Sequence, residues 1–178
     1  ANGVIGSISR GSGISASSGA NTFAASGFTT SATPDPDDYF QFSIQANTGY
    51  VLNLDSVVVS ERRSNTGIRK FAVRSSLDNF TSDLTVFSVP DDANYRTNQQ
   101  VALGTSFKNI PSGTNVEFRY LGYESESAAG TWRLDSIRIY GTILDQATSV
   151  SALYSKAKFN VYPNPGSYNL VIESATSE

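Results

Sequence analysis

Five cationic side chains, Arg62, Arg63, Arg69, Lys70 and Arg74, crowd into one short stretch of a chain with 13 Lys plus Arg, 16 Asp plus Glu and a net charge of −3. Arginine suits recognition of sulfate or carboxylate, because its planar fork donates two hydrogen bonds at once. If residues 58–63 and 70–75 pair as a hairpin through the turn at Ser64-Asn65-Thr66-Gly67, some of these side chains share one face. A cationic patch on a net-acidic chain is what binding of a sulfated or uronic polysaccharide requires. The alternative is a solvated sheet face balanced by Asp55, Glu61 and Asp78.

Aromatic residues are the second candidate chemistry, since Trp and Tyr offer flat apolar surfaces on which sugar rings stack. Tyr95 lies beside Arg96 in the polar stretch Asp91 to Asn98, and Tyr123 lies in Leu121-Gly122-Tyr123-Glu124. Trp132, the single Trp, alternates with Leu134 at a strand start, so core packing competes with a stacking role. The carboxylates are less informative. A glycosidase needs two facing carboxylates about 5–9.5 Å apart, and Glu117, Glu124, Glu126 and Asp135 form no recognisable pair in sequence.

Cysteine and histidine are both absent. That excludes disulfides, thiolate and imidazole metal sites, and His-based nucleophile triads. Hard oxygen ligands remain in Asp35, Asp37, Asp38, Asp78, Asn79, Asp83 and Asp135, without the spacing of an EF-hand loop. No run of about 18 apolar residues is present, so no membrane insertion is expected. The acidic balance argues against a nucleic-acid partner.

The elements that would position these groups read as strands. Tyr39 to Gln45 alternates with Phe40, Phe42 and Ile44 on one face. Further strands are expected at 50–61, 70–76, 85–89, 101–107, 116–120 and 132–140, with 91–100 as a polar loop. Residues 1–34, rich in Ser, Gly and Ala, suggest short edge strands, with Ile5, Ile8, Ile14, Phe23 and Phe28 as core plugs. Short strands with frequent turns predict an all-β fold, a β-sandwich or jelly roll of antiparallel strands. The expected organisation is a β-sandwich at 1–142, a linker at 143–158 and a tail at 159–178.

Two resemblances add to this reading. The segments Arg63-Ser64-Asn65-Thr66-Gly67, Phe71-Ala72-Val73-Arg74-Ser75-Ser76-Leu77-Asp78-Asn79-Phe80 and Gly130-Thr131-Trp132-Arg133-Leu134-Asp135-Ser136-Ile137-Arg138-Ile139-Tyr140-Gly141 together resemble jelly-roll modules. Such modules are attached to secreted polysaccharide-degrading enzymes and surface proteins of marine and gliding bacteria. The resemblance implies a noncatalytic carbohydrate-binding module with a polysaccharide ligand and a tethered catalytic domain. It also implies a structural Ca²⁺ near the last strand, for which Asp135 is the candidate ligand.

Phe159-Asn160-Val161-Tyr162-Pro163-Asn164-Pro165-Gly166, followed by Asn169-Leu170-Val171-Ile172, resembles the start of the C-terminal sorting domain of type IX secretion. That implies a secreted or cell-surface protein, of which this chain is an excised, monomeric module. The expected ligand is an anionic algal glycan of the agar, porphyran or carrageenan type. The candidate ligand-binding residues are Arg62, Arg63, Arg69, Lys70, Arg74, Tyr95, Arg96, Tyr123 and Trp132. The competing readings are an adhesive spacer and a small glycan-active lyase or hydrolase.

Overall fold

The computed structural model describes residues 2–19, 21–146, 159–162 and 171–174. The chain divides into two compact units, Ala1–Asp145 and Gln146–Glu178. The strands of the first are β1 (Gly3–Ile5), β2 (Ser9–Arg10), β3 (Ser15–Ala16), β4 (Phe23–Ser26), β5 (Tyr39–Ala46), β6 (Tyr50–Arg63), β7 (Lys70–Ser75), β8 (Thr85–Ser88), β9 (Arg96–Ala102), β10 (Ile110–Pro111), β11 (Val116–Tyr123) and β12 (Thr131–Asp145). They form two six-stranded sheets packed as an antiparallel sandwich. Sheet A runs β1-β5-β11-β7-β8 with β2 also on β5, and sheet B runs β10-β6-β12-β4-β3 with β9 also on β6. In the second unit β13 (Phe159–Tyr162) pairs antiparallel with β14 (Val171–Ser174). The expected linker beyond residue 146 up to 158, and residues 163–170 and 175–178 of the tail, lie outside the described residues.

Period-two alternation builds the core. Along β5, Phe40, Phe42, Ile44 and Ala46 are buried, while Tyr39, Gln41, Ser43 and Gln45 face out. Trp132 sits at the centre. Its ring lies 5.0 Å from Phe71, 5.2 Å from Phe40 and 5.6 Å from Phe28, so it bridges the two sheets. Of the expected plugs, Ile14 and Phe28 are buried, and Ile8 and Phe23 pack against the core. Ile5 stands 67% exposed.

Two bulges reset the phase of the long pair β6–β12. Between Leu134 and Ser136 the register shifts by one residue at Asp135, and between Tyr140 and Gly141 it shifts at Asp55 on the partner strand. Trp132 and Leu134 therefore point inward before the bulge, and Ile137 and Ile139 after it. Arg133, Ser136, Arg138 and Tyr140 are left on the outer face. On β6 the inward set is Leu52, Leu54, Val57, Val59, Glu61 and Arg63, and the outward set is Ser56, Val58, Ser60 and Arg62.

Three expectations about elements are corrected. β6 and β7 are not a hairpin, because they belong to different sheets. The 64–69 segment is a corner, where Ile68 is fully buried and Arg69 N–H donates to Tyr123 C=O at 3.2 Å. Residues 96–102, whose first positions were read as loop, form β9. Its polar character follows from its place at a sheet edge with one face wet. The strand expected at 101–107 ends at Ala102, and Thr105–Phe107 is a 3₁₀ turn.

Candidate functional site

The inward phase of β6 carries two charges into the end of the sandwich. Glu61 Oε2 accepts the indole N–H of Trp132 at 2.9 Å, and its Oε1 accepts from Arg96 Nε. Arg96 Nη1 in turn donates to Asp92 at 2.8 Å. Arg63 is 1% exposed. It donates to Ser64 C=O at 2.8 Å, Asn65 C=O at 2.5 Å and Pro90 C=O at 3.5 Å, and it pairs with Asp91 at 3.3 Å and Glu126 at 3.1 Å. A guanidinium whose donors are spent on three loops is a clamp. Gly130 belongs to the same packing, since a Cβ there would collide with the Thr66 backbone.

The remaining cations of the sequence cluster are mostly neutralised where they stand. Arg69 pairs with Glu126 at 2.9 Å and Asp91 at 3.0 Å, Lys70 with Glu124 at 2.8 Å, and Arg74 with Asp83 at 2.6 Å. Hydrogen bonds from Arg69 and Arg63 hold the Glu126 carboxyl below its ordinary range. Only Arg62 of the five has no carboxylate within ion-pair distance among the described residues. Adjacent in sequence, Arg62 and Arg63 point to opposite sides of sheet B, so the five side chains form no common patch. Trp132 is fully buried and Tyr123 nearly so.

The outer face of sheet B gathers a different set. Arg62 on β6 stands directly opposite Arg133 on β12. No carboxylate of the described residues forms an ion pair with either, and Arg133 Nε is buried without a partner. Like charges facing across two strands repel. Beside them Tyr95 is 45% exposed. Partial desolvation, then the nearby Asp135 carboxylate, push its phenol up to about 12. Asp135, at the bulge, lies near enough to Tyr95 to act on its charge. Among the described residues no group of three or more acidic side chains stands together as a metal-ligand set.

Further along the same face, Arg138 Nη2 donates to Asn98 Oδ1 at 2.7 Å, and Ser136 and Ser60 share a hydroxyl hydrogen bond at 3.1 Å. A shallow groove of about 330 Å³ runs here, lined by Ser56, Val58, Asn98, Gln100 and Tyr140, the last 49% exposed. Amide, hydroxyl, guanidinium and exposed phenol side chains side by side can hydrogen-bond sugar hydroxyls, pair with an anion and stack on a pyranose face. Of the residues singled out from sequence, Arg62, Tyr95 and Asp135 belong to this face. Arg133, Arg138, Asn98, Gln100 and Tyr140 were missed. The outward phase of residues 132–140 was the available signal, and it is legible only once the bulge at Asp135 is known.

No protein-family model and no curated protein matches this chain. Among solved structures it is similar to the enzymatically active domain of tailspike protein 4 of bacteriophage CBA120, at 14% identity and a TM-score of 0.37. The match covers 79% of this chain and 19% of that one, so the chain spans about a fifth of that structure's length. The expectation that the chain is not an enzyme is corrected by this finding: the structure it resembles is described as enzymatically active, and absence of catalysis is dropped as a premise. A likeness this distant assigns neither an activity nor a substrate to this chain.

Proposed function

We propose that the outer face of sheet B binds an anionic polysaccharide. The observation that carries this reading is the facing pair Arg62 and Arg133, two arginines opposed across adjacent strands, neither of them in an ion pair among the described residues. Such a pair is unfavourable alone and becomes favourable when a sulfate or carboxylate sits between the two forks. Tyr95 and Tyr140 then supply ring surfaces at the two ends of the face. Arg138, Asn98, Gln100 and Ser56 supply donors and acceptors for hydroxyls between them.

In this reading the chain is exported as part of a larger polypeptide, which the resemblance of the tail to a type IX sorting segment supports. Holding the polypeptide on a gelled glycan raises the local concentration of that glycan for any activity the polypeptide carries. Sulfated or carboxylated galactans of the agar, porphyran or carrageenan type suit the arginines best.

The test is electrophoresis of the purified chain through gels containing agarose, porphyran, carrageenan, alginate, fucoidan, xylan or a neutral β-glucan. Retardation by an anionic glycan, lost in R62A/R133A and kept in R74A, supports the reading. Retardation by the neutral glucan with none by the anionic glycans overturns it. Sizing the glycan after incubation reports in the same experiment whether it is cleaved.

A further inference from the structure

On the outer face of sheet A one arginine packs against two aromatic rings, an arrangement found at no other arginine among the described residues. Arg119, on β11, faces out opposite Gln41 of β5 and Arg74 of β7. Its guanidinium carbon lies 4.1 Å from the centre of the Tyr39 ring and 3.9 Å from the centre of the Phe80 ring. Its Nε donates to Gln41 Oε1 at 2.8 Å. Two aromatic rings and a fixed amide therefore lock the orientation of a side chain that normally samples many rotamers.

The loop that supplies Phe80 is built for the position. Asn79 and Phe80 both have left-handed backbone, with φ of 58° and 60°. For a residue as bulky as Phe this is a strained conformation that surrounding contacts must hold in place. They do so: Phe80 N–H donates to Ser75 C=O at 2.9 Å, Ser82 N–H to Asp78 Oδ2 at 3.0 Å, and Thr81 Oγ1 to Asp78 C=O at 2.8 Å. Arg74, pinned to Asp83, reaches Phe80 C=O at 3.5 Å from the other side.

What remains of Arg119 is the edge bearing Nη1 and Nη2. Among the described residues no carboxylate pairs with Arg119 and no acceptor meets these two nitrogens. They are also absent from the buried atoms without partners, so they reach solvent. The charged neighbours on this face are spoken for: Arg74 by Asp83, Lys70 by Glu124, and Glu117 by the Asn115 side chain at 3.2 Å. The result is a planar donor fork open along one edge and packed against the Tyr39 and Phe80 rings.

We propose that Arg119 is a carboxylate receptor that takes the acidic group of a uronic acid residue, the carboxylate lying in the guanidinium plane. A planar carboxylate matches two parallel N–H donors, and preorganisation lowers the ordering cost that an exposed arginine ordinarily meets on binding. Tyr39 and Phe80 border the same edge and give the sugar ring an apolar contact. This site lies on the opposite sheet from the Arg62–Arg133 face and does not depend on it.

The experiment is NMR titration of the ¹⁵N-labelled chain with sodium galacturonate, its methyl ester, sodium sulfate and sodium chloride, reading the Arg119 Nε–H and Gln41 side-chain signals. Saturable shifts with galacturonate, with Kd on the order of 1 mM, and none with the ester are expected. Binding weakened roughly tenfold in R119K and in F80L, and unchanged in R62A/R133A, is expected as well. Backbone amide spectra establish that each variant is folded, and Q41L provides a second substitution should F80L disturb the loop. Shifts no larger than with chloride overturn the proposal. So do equal shifts with sulfate or with the ester, and so does full retention of binding in R119K.

Discussion

Trp132 donates its indole N–H to Glu61 Oε2 at 2.9 Å, and both side chains are fully buried. The bond ties the aromatic centre of the core to the charge network at one end of the sandwich, because the other oxygen of Glu61 is held by Arg96. Removing one member of a buried ion pair strands the other, at a cost of about 3–5 kcal/mol. E61A is therefore expected to lower unfolding free energy by that order. E61Q, which keeps an acceptor for the indole, is expected to lose less. Urea denaturation monitored by Trp132 fluorescence measures both.

Arg63 makes the converse point about a residue whose sequence context advertises binding. Its fork is spent on three loops, so R63A, which leaves backbone carbonyls unpaired, is expected to destabilise by about 1–3 kcal/mol and R63K to recover little, since an ammonium cannot reproduce the fork. Glycan retardation per folded molecule is expected to stay unchanged in R63K. Thermal unfolding and gel retardation run on the same preparation separate the two effects.

The facing arginines of sheet B predict the opposite relation. Replacing Arg133 by Ala relieves cross-strand repulsion, so stability is expected to hold or rise by about 0.2–1 kcal/mol while retardation by anionic glycans falls. Adding salt to the wild-type chain is expected to mimic the loss of binding, because exposed charges are screened within about 10 Å at 0.1 M. A stability drop in R133A together with unchanged binding contradicts both expectations.

Glu126 links the loop clamp to pH. Hydrogen bonds from Arg69 and Arg63 depress its carboxyl in the folded chain below the ordinary 4.5. A depressed folded value gives stability that is present above 4.5 and lost as pH falls through the folded value. Asp38 works against this: its burial raises its carboxyl, so acid relieves a penalty there. Melting temperature plotted from pH 6 to pH 3 is expected to fall less steeply in E126Q than in wild type, and more steeply in D38N.

At the basic end Tyr95 sets the sign. Its folded phenol value, about 12, exceeds the ordinary 10.0. The stability it contributes is complete below pH 10 and is lost as pH rises toward 12. Y95F is expected to flatten that decline, measured as melting temperature between pH 9 and pH 11, and D135N to move the Tyr95 phenol down toward 10, readable by NMR titration of the ring carbon bearing the hydroxyl.

Much of the sandwich was legible because its alternation is local. Phe40, Phe42 and Ile44 in β5 and Phe71 and Val73 in β7 announce an inward face in any register. The candidate site was not legible, for two physical reasons. A one-residue bulge at Asp135 inverts the phase of β12, so Arg138 and Tyr140 cannot be put on the face of Arg133 by counting. Neutralisation is also non-local: Asp91, Glu124 and Glu126 come from distant loops to cancel Arg63, Arg69 and Lys70. Positive residues close in sequence therefore say little about net field at a surface. β9 was misplaced for the same kind of reason, since an edge strand with one wet face carries too few apolar residues to register.

The long pairing of β6 with β12 runs in register from Arg63 opposite Trp132 to Tyr50 opposite Asp145, interrupted only by its two bulges. A pull entering at Asp145 acts along the axis of β12 and loads that ladder in shear, all its hydrogen bonds bearing force together rather than parting one after another. The side chains of β12 to which glycan binding is assigned in our proposal sit on that same strand. A tether drawn from that end and a ligand held on that face would thus meet in the element of the fold best able to transmit tension between them.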